Sequence, residues 1–110
     1  MAGDLNRGEI WLHTFSKPDK RRPVVVLSRQ SVIPLLRTVI VAPITSTARG
    51  VPSEVPVGID EGLKNDSVVN LDHIQTVDRK HLRYFVGTLD DRKMAAVCRA
   101  LALATGCLSS

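Results

Sequence analysis

An arginine–proline pair stands at the entrance to an apolar run at positions 20–27, KRRPVVVL. Pro23 fixes its own φ angle and restricts the preceding Arg22 to extended backbone. We therefore expect Arg22 on a stiff segment where a loop meets a core strand. A guanidinium held in this way can bind a phosphate through two parallel hydrogen bonds. The alternative, from this segment alone, is a basic loop that serves only solubility.

The positive charge of the chain is concentrated around this segment. Lysine and arginine total 15 and aspartate and glutamate 11, a net charge of +4. Residues 16–22 carry four cations and one anion, whereas residues 60–66 carry three anions and one cation. A basic loop of this kind favours attraction of a polyanion such as nucleic acid. The cations best suited to that general attraction are Lys17, Lys20 and Arg21.

A second polar group follows another apolar run, in the sequence APITST at 42–47. Three hydroxyls come after the predicted strand, at Thr45, Ser46 and Thr47, and Arg49 follows two residues later. Hydroxyls beside an arginine at the open end of a strand can bind and orient a phosphate. The alternative is ordinary turn chemistry, in which the hydroxyls satisfy nearby backbone groups.

Other catalytic signatures are missing from the sequence. Asp66, Asp72 and Asp78 recur every six residues, but a turn or bulge near Asp72 would separate them and leave them to cap turns. No Gly-rich phosphate loop, nucleophile elbow or metal motif occurs. The histidines have no metal-ligand spacing and the cysteines form no Cys-x-x-Cys pair, so we expect no metal and no cofactor. These residues are His13, His73, His81, Cys98 and Cys107.

The chain is predicted to be a single domain, residues 1–110, made of short strands and one terminal helix. Strands are expected at 8–15, 23–28, 38–43, 53–59, 67–71, 73–77 and 85–89. From Asp90 the apolar spacing becomes helical, with Asp90 as N-cap and Gly106 as terminator. This order predicts a mainly β fold with a C-terminal helix, in which the strands form a small, strongly curved antiparallel sheet or barrel. The helix stripe that would pack on it comprises Met94, Val97, Cys98, Leu101 and Ala104.

The first strand alternates in a way that predicts one covered face and one polar face. Ile10 and Leu12 share the first, whereas Glu9, Trp11 and His13 share the second. On the polar face Trp11 would stack a base or lie at a subunit interface. The polar N-terminal residues and the lack of a long apolar run predict a soluble, cytoplasmic protein.

Five blocks in this order resemble the MazF/PemK family of toxin–antitoxin endoribonucleases. They are GEIW at 8–11, RPVVVLS at 22–28, VAPITST at 41–47, DSVVNLDHIQTVD at 66–78 and GTL-x4-M-x2-V-x3-L at 87–101. The resemblance spans roughly residues 7–105 and implies an SH3-like barrel that forms a homodimer. It also implies cleavage of single-stranded RNA, commonly mRNA, at short motifs without a metal, and inhibition by a cognate antitoxin with an acidic C-terminal segment.

The resemblance also implies roles for particular residues. The family's arginine falls on Arg22 and its threonine on Thr45, which would be the catalytic pair, and Ser46 would line the same pocket. Asp72 matches a family aspartate, whereas Asn70 stands where one branch has arginine. The general base and acid stay unassigned. Two alternatives are a gyrase-binding toxin of the same fold, like the CcdB family, and a basic RNA-binding module without chemistry.

Overall fold

The elements of the fold follow the predicted order. The computed structural model describes residues 5–14 and 21–109, so the predicted RNA contacts Lys17 and Lys20 lie outside the described residues. The strands are β1 (Glu9–Thr14), β2 (Arg21–Val26), β3 (Thr38–Thr45), β4 (Glu54–Val57), β5 (Ser67–Asn70), β6 (Gln75–Asp78) and β7 (Leu82–Thr88), and the helix is α1 (Asp91–Ala104). Short 3₁₀ turns lie at Ile33–Leu35, Ile59–Glu61, Leu71–His73 and Arg79–His81.

The seven strands form an antiparallel sheet in the order β4-β5-β3-β2-β1-β7, and β6 pairs with β3 outside this path. β3 reaches three partners because different parts of it face different neighbours: β6 along residues 38–41, β2 along 41–43 and β5 at 44–45. Such a strand must curve strongly to serve three neighbours. The predicted mainly β fold with a curved, barrel-like antiparallel sheet and a C-terminal helix is confirmed. Within the described residues, hydrogen bonds do not close the sheet into a complete barrel.

β2 runs between two apolar clusters, which explains its continuous β-branched sequence. Val25 belongs to a cluster that includes Val97 of α1, whereas Val24 and Val26 belong to a second cluster around Val41 and Leu82. All three valines of β2 are fully buried. A strand covered on both faces reads as an unbroken apolar run. The segment directly behind Arg22 is therefore anchored in the core on both faces.

The prediction that β1 has a polar face open to solvent was wrong. His13 is buried, and Trp11 packs partly buried against the second cluster, so both faces of the strand are covered. The Trp11 indole N–H donates to the Glu9 carboxylate at 3.1 Å, and its ring meets Phe85 edge-on with centroids 5.6 Å apart. Burial does not alternate along β1, because Ile10 and His13 are its buried residues and the pairing with β7 shifts register between Leu12 and His13.

The terminal helix begins and ends where the sequence predicts. The Asp90 carboxylate accepts the Lys93 N–H at 2.8 Å, and Gly106 takes the left-handed conformation with φ +77°. Val97 is fully buried, but Cys98, which was assigned to the packing stripe, is exposed. Cys98 is one residue past Val97, so it lies at the margin of the stripe, where the guanidinium of Arg7 contacts its sulfur at 3.0 Å. No described helix is long and apolar enough to cross a membrane.

The predicted break between the strands at 67–71 and 73–77 is a 3₁₀ turn, Leu71–His73, rather than a bulge. Leu71 is buried in the first cluster, which anchors the turn to the core. The turn separates β5 from β6 and removes the regular alternation that would have put the three aspartates on one face.

Candidate anion-binding cleft

Three strand ends bring the predicted site residues together. Val24 of β2 pairs with Pro43 of β3, and the two strands run antiparallel, so Arg22 at the start of β2 and Thr45 at the end of β3 lie at the same end of the pair. Ile44 pairs with Val69 of β5, which brings the end of β5 beside the same edge. The topology therefore assembles side chains that are far apart in sequence.

These strand ends enclose a cleft of about 200 Å³. Two arginines and two threonine hydroxyls face it, and its lining contains no carboxylate. Because arginine only donates hydrogen bonds and hydroxyls can donate them, the cleft is suited to an anion that accepts several hydrogen bonds at once. Its lining comprises Arg22, Pro43, Ile44, Thr45, Thr47, Arg49, Asn70 and His73.

Arg22 combines a fixed backbone with an available guanidinium. Its backbone pairs with His13 of β1, and Val24, two residues later, is fully buried. The Arg22 side chain is exposed, and no hydrogen bond or ion pair joins its guanidinium to another residue in 5–14 or 21–109. Arg22 lies in extended backbone at the start of β2, as Pro23 predicts. Within the described ranges, the guanidinium therefore keeps its donors for a ligand.

Thr45 presents its hydroxyl in a defined way. Its Oγ1 accepts the backbone N–H of Thr47 at 3.1 Å, which is the geometry of a hydroxyl-stabilised turn. An oxygen that accepts in this way keeps its own proton free to donate. Thr45 can therefore stabilise the turn and bind a ligand at the same time. Ser46 is exposed between these two threonines and is not part of the lining.

Arg49 reaches the cleft from the loop 46–50, and Glu54 at the start of β4 holds this loop in place. The Glu54 carboxylate accepts the backbone N–H groups of Arg49 and Gly50, both at 3.0 Å. A carboxylate that accepts backbone hydrogen bonds is a strong local anchor because the bonds are charge-assisted. Glu54 thus holds the loop through its backbone, and Arg49 lines the cleft.

Two lining residues, Asn70 and His73, were not chosen as candidates from the sequence. Asn70 is buried; its Oδ1 accepts the Asp72 N–H at 3.0 Å, and its Nδ2 lies 3.1 Å from His73 Nδ1. Side chains three residues apart lie above one another in a 3₁₀ turn, so the spacing Asn-x-x-His directly after a strand was the available signal. The histidines had been considered only as metal ligands.

The other predicted contacts lie apart from this cleft. The Asp72 carboxylate accepts a hydrogen bond from the Ser53 hydroxyl and lines a different cavity, together with Leu103 of α1. Arg21 places its guanidinium over the ring of Tyr84, 4.8 Å from the centroid. The structure therefore brings Arg22, Thr45 and Arg49 together, but not Asp72 or Arg21.

Comparison with known proteins identifies the family of the chain. Residues 6–105 match the family described as PemK-like, MazF-like toxin of type II toxin-antitoxin system. The chain belongs to this family. It is 45% identical over 103 residues to a probable endoribonuclease, MazF5, of Mycobacterium tuberculosis, covering 92% of this chain and 93% of that protein. It is 43% identical over 83 residues to the endoribonuclease MazF3 of the same organism, covering 76% and 81% of the two chains.

Solved structures show the same fold as this MazF-like chain. The toxin MazF-mt6 of Mycobacterium tuberculosis superposes with a TM-score of 0.82 at 39% identity, over 89% of this chain and 96% of that one. A MazE–MazF crystal structure from Deinococcus radiodurans gives a TM-score of 0.78 at 26% identity, over 93% and 95%. The resemblance inferred from the five sequence blocks is thereby confirmed.

Proposed function

We propose that this protein is the toxin of a type II toxin–antitoxin pair and cleaves single-stranded RNA, including mRNA, at a short sequence motif without a metal ion. The observation that carries the proposal is the single cleft that Arg22 and Thr45 both line. A cleft lined by donors and free of carboxylates suits a phosphodiester. The relatives named as endoribonucleases supply the reaction class.

The reaction follows from the chemistry of RNA. The ribose 2′-OH attacks the adjacent phosphorus, a bond from phosphorus to O2′ forms, and the bond from phosphorus to O5′ breaks. The 2′-OH proton passes to a base, O5′ receives a proton, and the products carry a 2′,3′-cyclic phosphate and a 5′-OH. Arg22 would stabilise the negative charge that grows on the phosphorane, and Thr45 would donate to a non-bridging oxygen. DNA lacks the attacking hydroxyl, which would restrict the reaction to RNA.

The surrounding residues would then hold the rest of the substrate. Lys17, Lys20 and Arg21 would attract the RNA backbone, and Ser46 and Arg49 would contact it beside the cleft. Asp72 stays a predicted contact, at the neighbouring cavity. We propose as well that the toxin acts as a homodimer and that a cognate antitoxin covers the basic surface with an acidic C-terminal segment, in keeping with the MazE–MazF complexes among its structural relatives.

Arg22→Ala tests the proposal directly. Loss of one preorganised donor to a developing oxyanion lowers rates by about 10² to 10³. We expect a loss of that order in single-turnover cleavage of a long single-stranded RNA in the presence of EDTA. Arg92→Ala removes an exposed arginine of α1, outside the cleft, and serves as the matched control.

Sequencing the product ends of a defined RNA pool gives the motif and the end chemistry together. Intact RNA across the pool would refute the enzymatic proposal, as would an Arg22→Ala variant that cuts at the normal rate. Binding of gyrase without cleavage would favour the CcdB-like alternative. Salt-sensitive RNA binding without products would favour a simple binding module.

A further inference from the structure

The amide of Asn70 has only one orientation that satisfies its neighbours. The Asp72 backbone N–H donates to the Asn70 side chain at 3.0 Å, and only the amide oxygen can accept it. The NH₂ group must therefore be the end of the amide that lies 3.1 Å from His73 Nδ1. Asn70 is buried, so its amide is held by these neighbours rather than by water.

The orientation of the amide decides where His73 carries its proton. The Asn70 NH₂ group can only donate, so His73 Nδ1 must accept and cannot bear a hydrogen. A neutral imidazole then carries its single hydrogen on Nε2. The tautomer of a histidine is set in this way by the hydrogen bond that its other nitrogen makes.

His73 is exposed and lines the cleft that contains Arg22 and Thr45. In the tautomer selected by Asn70, it adds a neutral N–H donor to the arginines and threonine hydroxyls of the lining. The cleft would then surround a phosphodiester with a guanidinium, a hydroxyl and an imidazole N–H. The opposite tautomer would point a lone pair at the ligand and repel its oxygens.

We propose that His73 donates a hydrogen bond from Nε2 to the RNA phosphodiester in this cleft, and that Asn70 is the positioning residue that selects the required tautomer. The inference rests on the proposed function for the identity of the substrate. The selection of the tautomer by Asn70 does not depend on it.

The tautomer is read by ¹⁵N-resolved NMR of the imidazole nitrogens in the free protein, at about pH 8, above the ordinary titration range of histidine. His73→Gln assigns the signal by its disappearance. We expect hydrogen on Nε2 in the wild type. Asn70→Asp keeps the oxygen that accepts the Asp72 N–H but replaces the NH₂ group by a second acceptor, so the hydrogen should move to Nδ1. A wild-type His73 with hydrogen on Nδ1 overturns the proposal.

The role toward RNA is read by single-turnover cleavage of an RNA that carries the motif found by end sequencing. His73→Gln keeps an amide N–H near the place of Nε2 and should cut within a few-fold of wild type. His73→Asn reaches only as far as Nδ1, so it keeps the bond to Asn70 and loses the donor to the cleft. The net contribution of one such hydrogen bond corresponds to a rate loss of about tenfold. Equal rates for His73→Asn and His73→Gln overturn the proposed contact.

A double-mutant cycle separates the tautomer from the charge that Asn70→Asp introduces. In the wild-type background we expect Asn70→Asp to slow cleavage through both effects. In the His73→Gln background only the charge effect remains, because the glutamine amide can rotate to suit either neighbour. An identical loss in both backgrounds refutes tautomer selection as the cause. If the wild type cuts no RNA in the pool, the proposed function and the RNA contact both fail, while the spectrum still decides the Asn70–His73 part.

Discussion

Two 3₁₀ turns of this protein have the same backbone arrangement but different roles. Leu71–His73 follows β5 and Arg79–His81 follows β6, and each ends in a histidine. In each, the residue before the turn accepts the backbone N–H two positions later, at 3.0 Å: Asn70 from Asp72, and Asp78 from Lys80. The backbone arrangement is therefore the same, and only the cap differs chemically.

The two capping side chains differ in the hydrogen-bonding groups that remain after each has accepted the backbone N–H. Asn70 still has an NH₂ group, which reaches His73, whereas a carboxylate such as Asp78 can only accept. Asp78 is partly exposed, and the pKa of its carboxyl is lowered mainly by the Lys80 backbone hydrogen bond and further by the charges of Lys80, Arg37 and His81. The first cap orients a histidine in a cleft; the second balances charge at the surface. A turn of one shape thus acquires a function through the hydrogen-bonding capacity of its cap.

Removal of the caps should produce the largest contrast. Asn70→Ala removes a buried side chain and leaves the part-buried Asp72 N–H and His73 Nδ1 without their partner, so we expect a loss of about 2 kcal/mol in the free energy of unfolding. Asp78→Ala leaves the exposed Lys80 N–H to bind water and should cost clearly less. Urea denaturation of both variants at neutral pH measures the difference. Equal losses would show that the two caps are energetically equivalent.

Shortening His73 and His81 to asparagine compares the two turns by their effect on RNA cleavage. His73→Asn should lower RNA cleavage about tenfold because a donor to the cleft is lost. His81→Asn should leave the rate unchanged, because His81 lies beside His13, with ring centroids 6.0 Å apart, and is not part of the cleft. A similar loss in both variants would mean that the effect arises from the fold rather than from the contact with RNA.

His81, the last residue of the second turn, contributes to a pH dependence of stability that arises at His13. Burial and the neighbouring His81 lower the pKa of His13 below its ordinary value of 6.5. The unfolded chain therefore binds this proton first, so the free energy of unfolding should fall as the pH drops through 6.5 and level off below the folded pKa. His81→Gln should reduce this fall only in part, since burial is the larger cause. Urea titrations on both sides of this range measure it; a stability that rises on acidification would contradict the assignment.

The smallest effect is expected at Asp78. A lowered carboxyl pKa stabilises the fold above the ordinary value of 3.8, and this contribution disappears as the pH falls through the folded pKa. Asp78→Asn keeps an accepting oxygen and removes the charge, so its acid-induced loss should be slightly shallower than that of the wild type. Added salt should shrink the difference because the group is exposed. An identical acid profile for the two proteins would show that the charge has no net role.

The sequence predicted the parts of the site that depend on local rules. Arg22 could be predicted because Pro23 constrains its backbone. Thr45 could be predicted because its hydroxyl follows a buried strand. The two-sided cover of β1 was missed because alternation describes the strand, whereas the curvature of the sheet decides what lies against each face. His73 was missed because its part in the cleft depends on the direction of one amide, which is fixed only when β5 ends in the turn.

Glu54 anchors the loop 46–50 through hydrogen bonds, and this matters for any attempt to change the proposed RNA preference by engineering. Its carboxylate oxygens accept the N–H groups of Arg49 and Gly50 from a position outside the loop itself. A graft that carried this loop onto a relative without Glu54 would leave those N–H groups unpaired and the arginine without its anchor. The loop and the first residue of β4 therefore form the smallest exchangeable module, and chimaeras between relatives should be cut after Glu54 rather than before it.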